Sequence, residues 1–248
     1  MSKTPETSKM RMFAGLPFLE RTLEQAAIEV VESAVANQQA SYHLVNAYSI
    51  AASTENAEYA RGLNESEHNL PDGFPIAFLT KFSKRPLSQV RGPSLFSEVI
   101  ARGQNTAVRH YFLGSSEHVL HLIVSKIYAE YPDAVVAGVL SPPFRQLSDL
   151  ERAAQAKKII ASGANLVWVA LGTPKQDFEA DLLAKETGKT VVAVGAAFDF
   201  FAGTKAEAPR WMARLGLEWT FRFVTEPRRL WRRYLIGNVK FLFKVLSS

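Results

Sequence analysis

From Ala164 to Asp177 the chain reads Ala-Asn-Leu-Val-Trp-Val-Ala-Leu-Gly-Thr-Pro-Lys-Gln-Asp, an apolar run that halts at Gly172 and passes straight into the polar start of a helix. β-Branched and aromatic residues between Leu166 and Leu171 predict a buried strand. Gly172-Thr-Pro predicts the turn, with Pro174 at the first helical position, where its missing N–H is not needed. A junction of this kind delivers Lys175 and Gln176 to the carboxyl edge of a sheet, where open α/β folds bind ligands.

The same grammar recurs along the chain. Tyr42 to Val45 stops at Asn46, Arg109 to Leu113 at Gly114-Ser-Ser116, Ala134 to Leu140 at Ser141-Pro-Pro-Phe-Arg145, and Thr190 to Val194 at Gly195. Each run is followed by a helical pattern, so the expected fold is α/β, Rossmann-like, with a mostly parallel sheet flanked by helices and the junctions opening on one crevice. Residues 12–18 predict a short strand or hairpin, and Thr22 caps a helix from Leu23 to about Asn37. One Ala-rich helix is expected from Tyr48 to Arg61 and a strand from Ile76 to Leu79. Further helices are expected from a Ser94 cap to Arg102, from Glu117 to Tyr131, and from Ser148 to Ser162, where Glu151 completes a capping box.

Several polar residues interrupt this scaffold. Asp72 lies in Asn69-Leu-Pro-Asp-Gly-Phe-Pro75, a loop stiffened by two prolines; it is either a turn Asp bonded to its own backbone or a site acid. The single glycine of Gly114-Ser-Ser116 before a helix suits either a tight turn or a phosphate held by backbone amides. Asp199, among Phe198, Phe200 and Phe201, is either a hydrogen-bonded core acid or a site residue. His118 and His121, three apart on a helix, are expected at the surface, with no clustered third ligand to suggest zinc.

Charge divides the chain unevenly. Its 248 residues carry a net +5. From Lys205 onward there are ten Lys or Arg against three Glu, leaving 19 basic and 21 acidic residues before it. Two domains are therefore expected, an α/β domain over 1–204 and a basic, aromatic-rich helical appendage over 205–248. A helix from Pro227 to about Val245 would gather Arg229, Arg233, Lys240 and Lys244 in one sector and set Trp231, Tyr234, Leu235, Phe241, Leu242 and Val245 opposite. That pattern fits a helix lying in an anionic membrane interface, or a terminal helix packed on the domain with a solvated basic face. There is no cysteine, so disulfides and thiolate metal sites are excluded. Met1 to Arg11 is polar, and no apolar run approaches the roughly 18 residues of a spanning helix, which predicts a cytoplasmic protein.

Taken together, Asn46, Pro71-Asp-Gly-Phe-Pro75, Arg91-Gly92 with Leu95, Phe112-Leu-Gly114, Ser141-Pro-Pro-Phe144, Leu171-Gly-Thr-Pro-Lys-Gln176, Gly195-Ala-Ala-Phe-Asp199 with Ala202-Gly203, Ala208-Pro209 and Gly216-Leu-Glu-Trp219 resemble the WecG/TagA/CpsF glycosyltransferases, family 26, in the family's own order. The resemblance implies an inverting transferase without metal or other cofactor. It would move a hexose or N-acetylhexosamine, as from a UDP-N-acetylmannosamine-like donor, onto a polyprenyl-diphosphate-linked saccharide. Work of this kind takes place at the inner face of the cell membrane, in cell-surface polysaccharide synthesis. The resemblance gives Asp72 the part of base and places Asn46, Arg91, Gly114, Lys175, Gln176, Phe198, Asp199 and Glu218 around donor and substrate. It assigns Arg222, Arg228, Arg229, Arg232 and Arg233 to the membrane and the acceptor diphosphate. The chain departs from the family where many members read Arg-Val-x-Gly, since it has Gln89-Val-Arg-Gly92.

The expected partners are thus a nucleotide-diphosphate sugar, a lipid-linked acceptor and an anionic membrane surface. Nucleic acid is not among them, and a homo-oligomer is left open. No Asp-x-Asp occurs in the chain, so backbone amides near Gly114 or Gly195, with Arg or Lys, are expected to meet the leaving diphosphate. The alternative is a non-catalytic nucleotide-sugar or nucleic-acid binding protein with a basic tail. A nicotinamide oxidoreductase is disfavoured by the missing Gly-x-Gly-x-x-Gly turn.

Overall fold

The computed structural model describes residues 9–209, 211–212 and 216–247, without the side chains of Arg229, Arg232, Arg233 and Tyr234. The elements run β1 (Met10–Phe13), β2 (Leu16–Leu19), α1 (Leu23–Val35), β3 (Ala40–Val45), α2 (Ala47–Ser53), α3 (Ala57–Glu65), β4 (Asn69–Pro71), α4 (Phe74–Thr80) and α5 (Gly92–Gly103). They continue with β5 (Arg109–Gly114), α6 (Glu117–Glu130), β6 (Val135–Leu140), α7 (Asp149–Ala161), β7 (Leu166–Ala170), α8 (Lys175–Thr187), β8 (Thr190–Ala193), α9 (Ala197–Phe201), α10 (Glu218–Thr225) and α11 (Pro227–Leu246). A six-stranded sheet has the order β4-β3-β8-β7-β5-β6, and the pairings from β3 across to β6 are all parallel. This is the expected Rossmann-like α/β architecture.

The chain divides into two compact units. One comprises residues 23–43 and 92–206 and holds most of the sheet. Its strands are apolar on both faces because both are covered, the condition under which parallel strands lose polar alternation. Tyr111, Leu113, Val167, Val169, Val191 and Ala193 point to one side, where Ile159 of α7 and Leu183 of α8 pack. The alternate residues Phe112 and Trp168 point to the other, where Phe96 of α5 meets both rings at 5.8 and 4.8 Å and Phe198 of α9 at 5.6 Å. α7 begins with the expected capping box of Ser148 and Glu151.

The other unit comprises residues 1–22, 44–91 and 207–248. The hairpin β1–β2 packs beside β4, and α11 lies along α2, burying Leu230 and Phe241. Several local expectations change here. The predicted strand Ile76 to Leu79 is part of α4, and the strand instead is β4, Asn69–Pro71. Pro75 in the first turn of α4 pre-sets a helical φ, and a four-residue apolar run fits either period. The single helix predicted from Tyr48 to Arg61 is two, because Asn56 caps a new one by accepting from Tyr59 N–H at 3.0 Å. In the sheet-bearing unit, α5 begins at Gly92, so Ser94 lies within it, and Pro174 precedes α8 as its cap, following a cis peptide.

Candidate active site

Asp72 follows β4, and its own N–H donates to Val45 O at 2.8 Å. That bond sets it beside Asn46, the residue after β3. Asn46 is the cap of α2: its Oδ1 accepts from Tyr48 and Ser49 N–H at 3.0 and 3.2 Å, and Ser49 Oγ accepts from Asn46 N–H at 3.3 Å. With Oδ1 committed to the helix, Nδ2 is the atom left to face Asp72, and it donates to Oδ2 at 3.3 Å. The amide orientation is therefore decided by the cap, and the turn-Asp reading gives way to a carboxylate held by a neighbouring side chain.

Arg91 reaches the same place. Val90 N–H donates to Pro71 O at 2.8 Å, tying the basic loop to the end of β4. The guanidinium then forks onto Glu218 at the start of α10, Nε to Oε2 and Nη2 to Oε1, both at 3.0 Å. Glu207 Oε2 lies 3.7 Å from Nη2. Burial pushes the Asp72 carboxyl above the ordinary carboxylate range and Glu218 adds to this, while the Asn46 hydrogen bond and the cations Arg222 and Arg91 pull down without reversing it. Asn46, Asp72, Arg91, Glu218 and Arg222 thus form one electrostatic neighbourhood. Gln89, at the position where many family members carry Arg, is half-buried, and the guanidinium in this cluster is that of Arg91. Arg228 is exposed on α11; the side chains of Arg229, Arg232 and Arg233 lie outside the described residues.

In the sheet-bearing unit, β5, β7 and β8 end side by side by virtue of their parallel register. Gln176, buried in the first turn of α8, accepts from Gly172 N–H at 3.1 Å through Oε1 and sends its own N–H to Gly172 O at 2.9 Å. A Cβ on Gly195 would stand 3.5 Å from the same Oε1, so the Gln176 amide fits between the ends of β7 and β8. Gly114 closes β5 at φ 119°, and a Cβ there would lie 2.4 Å from Ala170 O. Only glycine lets β5 and β7 approach so closely. Ser116 Oγ caps α6, and Ser141 Oγ donates to Ser115 O at 2.7 Å, which fixes the turn.

Three residues fall elsewhere. Lys175 is exposed and donates to Arg145 O at 3.4 Å, beside a hollow of about 580 Å³ lined among others by Phe144, Leu147, Leu171 and Phe178. Phe198 is buried and packed among the core rings of Phe96 and Phe112. Asp199 is partly exposed and pairs with Lys205 Nζ at 2.9 Å, so it is not a buried core acid. His118 and His121 are exposed, as expected.

Sequence reasoning missed the polar cluster behind Gln176. His43, fully buried in β3, has Nε2 2.9 Å from Asp181 and Nδ1 3.4 Å from Asp177, and Ser41 Oγ donates to Asp181 at 2.6 Å. The available signal was a histidine in an apolar strand together with aspartates four apart on one helix face.

The profile of the glycosyl transferase WecG/TagA/CpsF family matches residues 11–248. The chain belongs to this family. As a WecG/TagA/CpsF member it is a glycosyltransferase, which sets aside the non-catalytic binding alternative. It is 31% identical over 183 residues to the N-acetylglucosaminyldiphosphoundecaprenol N-acetyl-beta-D-mannosaminyltransferase of Bacillus spizizenii, covering 73% of this chain and 69% of that protein. The Bacillus subtilis protein of the same name is 31% identical over 199 residues, covering 79% and 75%. Within this WecG/TagA/CpsF chain, Asn46, Arg91 and Glu218 gather around Asp72, and Gly172 and Gly195 flank Gln176. Among the described residues no helix is long and apolar enough to cross a membrane.

Proposed function

We propose that this protein is an inverting, metal-independent transferase. It moves N-acetylmannosamine or a related hexose from a nucleotide diphosphate to a polyprenyl-diphosphate-linked saccharide at the inner face of the cell membrane. The observation that carries the mechanism is the Asp72 carboxylate, half-buried and oriented by Asn46. In the reaction Asp72 takes the proton of the acceptor hydroxyl. The oxygen forms its bond to the anomeric carbon from the face opposite the leaving group. The bond from that carbon to the diphosphate oxygen breaks, and the electron pair leaves with the nucleotide diphosphate. One base suffices for inversion, and a raised carboxyl is a stronger base than an ordinary one.

The growing charge on the leaving group calls for fixed donors. Gly114 and the Ser115–Ser116 amides at the start of α6, and Lys175 at the start of α8, are the groups we assign to the donor diphosphate. Gln176 shapes the donor pocket by fixing the turns after β7 and β8. Phe198 acts from the core, by holding α9 under Asp199. Arg91 and Glu218 keep the surroundings of Asp72 fixed, with Arg222 adjusting its charge, and Arg228, Arg229, Arg232 and Arg233 meet phosphates of the lipid or acceptor. The absence of Asp-x-Asp from the sequence supports a metal-free site.

The appendage over 205–248 supports a membrane role. On α11, Trp231, Leu235, Val239, Leu242 and Leu246 recur every three or four residues and are all exposed, while Leu230 and Phe241 are buried against the unit that carries them. The predicted apolar side is thus two faces, one packed and one outward. An outward apolar stripe on a helix of a basic segment is what an anionic bilayer holds.

The full chain is to be incubated with UDP-N-acetylmannosamine and polyprenyl-diphosphate N-acetylglucosamine in vesicles, with a chelator present. The expected product carries the sugar with inverted anomeric configuration. Retained configuration, or loss of transfer on chelation restored by a divalent cation, overturns the mechanism.

A further inference from the structure

The unit that holds Asp72 carries one more surface that the base and α11 leave unexplained. α4 starts two residues after Asp72 and ends at Thr80, which is buried. Thr80 organises the turn that leaves the helix. Its Oγ1 donates to Ile76 O at 2.9 Å and accepts from Leu87 N–H at 3.0 Å, and its carbonyl accepts from Ser83 Oγ at 2.6 Å. Arg11 Nη1 donates to Ser83 Oγ at 2.9 Å, and Arg85 Nη2 to Glu20 Oε2 at 2.7 Å. Leu87 and Val90 are buried beyond. The turn is therefore clamped on both sides.

Its tip is nonetheless apolar and open to solvent. Phe82 is 89% exposed, Phe78 51% and Leu79 45%. Phe78 is stacked on Phe74 at 5.2 Å, and Gly216 lies so near the Phe74 ring that a Cβ on it would be 2.3 Å away, which wedges α4 against the chain entering α10. Lys81 Nζ lies 5.7 Å from the centre of the Phe82 ring, and Lys84 is exposed beside it. No acid occurs between Asp72 and Glu98. Scattered exposed apolar residues are ordinary, but a held cluster of three flanked by two exposed lysines is not. An anionic lipid surface complements it, taking the rings at the level of the headgroups and the lysines at the phosphates.

We propose that Phe78, Leu79 and Phe82, with Lys81 and Lys84, form a membrane-inserting tip separate from α11 that sets the height of Asp72 above the bilayer. The inference rests on the acceptor being membrane-borne. Seven residues of α4 at 1.5 Å per residue separate Asp72 from the tip by about 10 Å. The headgroup layer of one leaflet is roughly 5–8 Å deep. A tip at the base of that layer places Asp72 at its outer margin, where a sugar on a diphosphate would stand.

The test uses the full chain, F78S/F82S and K81Q/K84Q, sedimented with phosphatidylcholine vesicles with and without phosphatidylglycerol. Transfer is measured both to a vesicle-borne polyprenyl acceptor and to a short-chain, water-soluble diphosphate acceptor without vesicles. F78S/F82S is expected to lower vesicle partitioning roughly ten-fold and K81Q/K84Q about five-fold per lysine on anionic vesicles only. Transfer to the vesicle acceptor falls in parallel, while transfer to the soluble acceptor stays at the wild-type rate. In F82W, brominated lipids are expected to quench fluorescence beyond that of wild type. Unchanged partitioning with no added quenching overturns the proposal, as does a change of mass in lipid-free sedimentation, which would mark a protein-binding surface. Absence of wild-type transfer to the soluble acceptor removes the transferase mechanism instead and leaves the partitioning result standing on its own.

Discussion

The side-chain amide of Asn46 serves two structures at once: Oδ1 closes the first turn of α2, and Nδ2 holds Oδ2 of Asp72 at 3.3 Å. The cap and the proposed base therefore respond to the same substitution. Asn46→Ala is expected to lower stability by about 1 kcal/mol through the lost cap. It also removes a hydrogen bond that favours the ionised carboxylate, so the already raised Asp72 carboxyl rises further. Because the base works deprotonated, the acid limb of the pH profile of kcat/KM is expected to move to higher pH. An unshifted limb in a folded variant would remove Asp72 from the role of base.

Asp72→Asn preserves shape and loses basicity. A fall in kcat of about 10²- to 10⁴-fold is expected, with donor affinity, read by calorimetry, close to that of wild type. Arg91→Ala should move the acid limb upward as well, since it removes a nearby cation and frees Glu218 from its fork.

His43 predicts a pH-dependent stability. Burial works against its charge, but the hydrogen bonds and charges of Asp177 and Asp181 overcome this and raise it from 6.5 to about 9. The groups facing it are those two carboxylates, with Ser41 and Lys185 acting on Asp181. A histidine raised on folding stabilises fully below its unfolded value, and that contribution disappears as pH climbs through its folded value. The loss is thus expected between about pH 6.5 and about 9, and at about 1.4 kcal/mol per pH unit it is on the order of 3 kcal/mol. Melting temperatures of wild type and His43→Gln, followed against pH, should converge above that window. A constant gap would show the imidazole to be neutral in the folded protein.

The two faces of α11 separate binding from folding. Phe241→Ala, on the packed face, is expected to cost about 3 kcal/mol or more of stability. Leu235→Asp with Leu242→Asp, on the outward stripe, should leave the melting temperature near wild type and abolish sedimentation with anionic vesicles. Removing the whole segment is a poorer test, because α2 would lose the side chains that cover it.

Gly114→Ala tests the approach of β5 to β7. A methyl group 2.4 Å from a backbone oxygen, at φ 119°, cannot be absorbed by a rotamer change. Destabilisation on the order of 2 kcal/mol or more is expected in chemical denaturation, with weakened donor binding in whatever folds.

The parallel sheet was legible because each strand in it is a β-branched run bounded by a turn, as in Leu166–Ala170 and Gly172. Asp72 and Gln176 stood out because stiff turns surround them. What escaped was set by distance along the chain. Arg91 and Glu218 are 127 residues apart, and His43 and Asp177 are 134 apart, so no local pattern announces either pairing. Ile76–Leu79 failed for the opposite reason: four apolar residues satisfy two periodicities, and the proline ahead of them decided for the helix.

The outward stripe of α11 exists before any lipid is met, since Leu230 and Phe241 already fix the helix from its other side. On the proposed membrane reading, adsorption needs no coil-to-helix ordering, and the adsorbed enzyme searches for its acceptor by lateral diffusion in two dimensions. Its turnover would then follow the mole fraction of acceptor in the surface and not its bulk concentration, so adding inert lipid at fixed total acceptor would slow it by surface dilution.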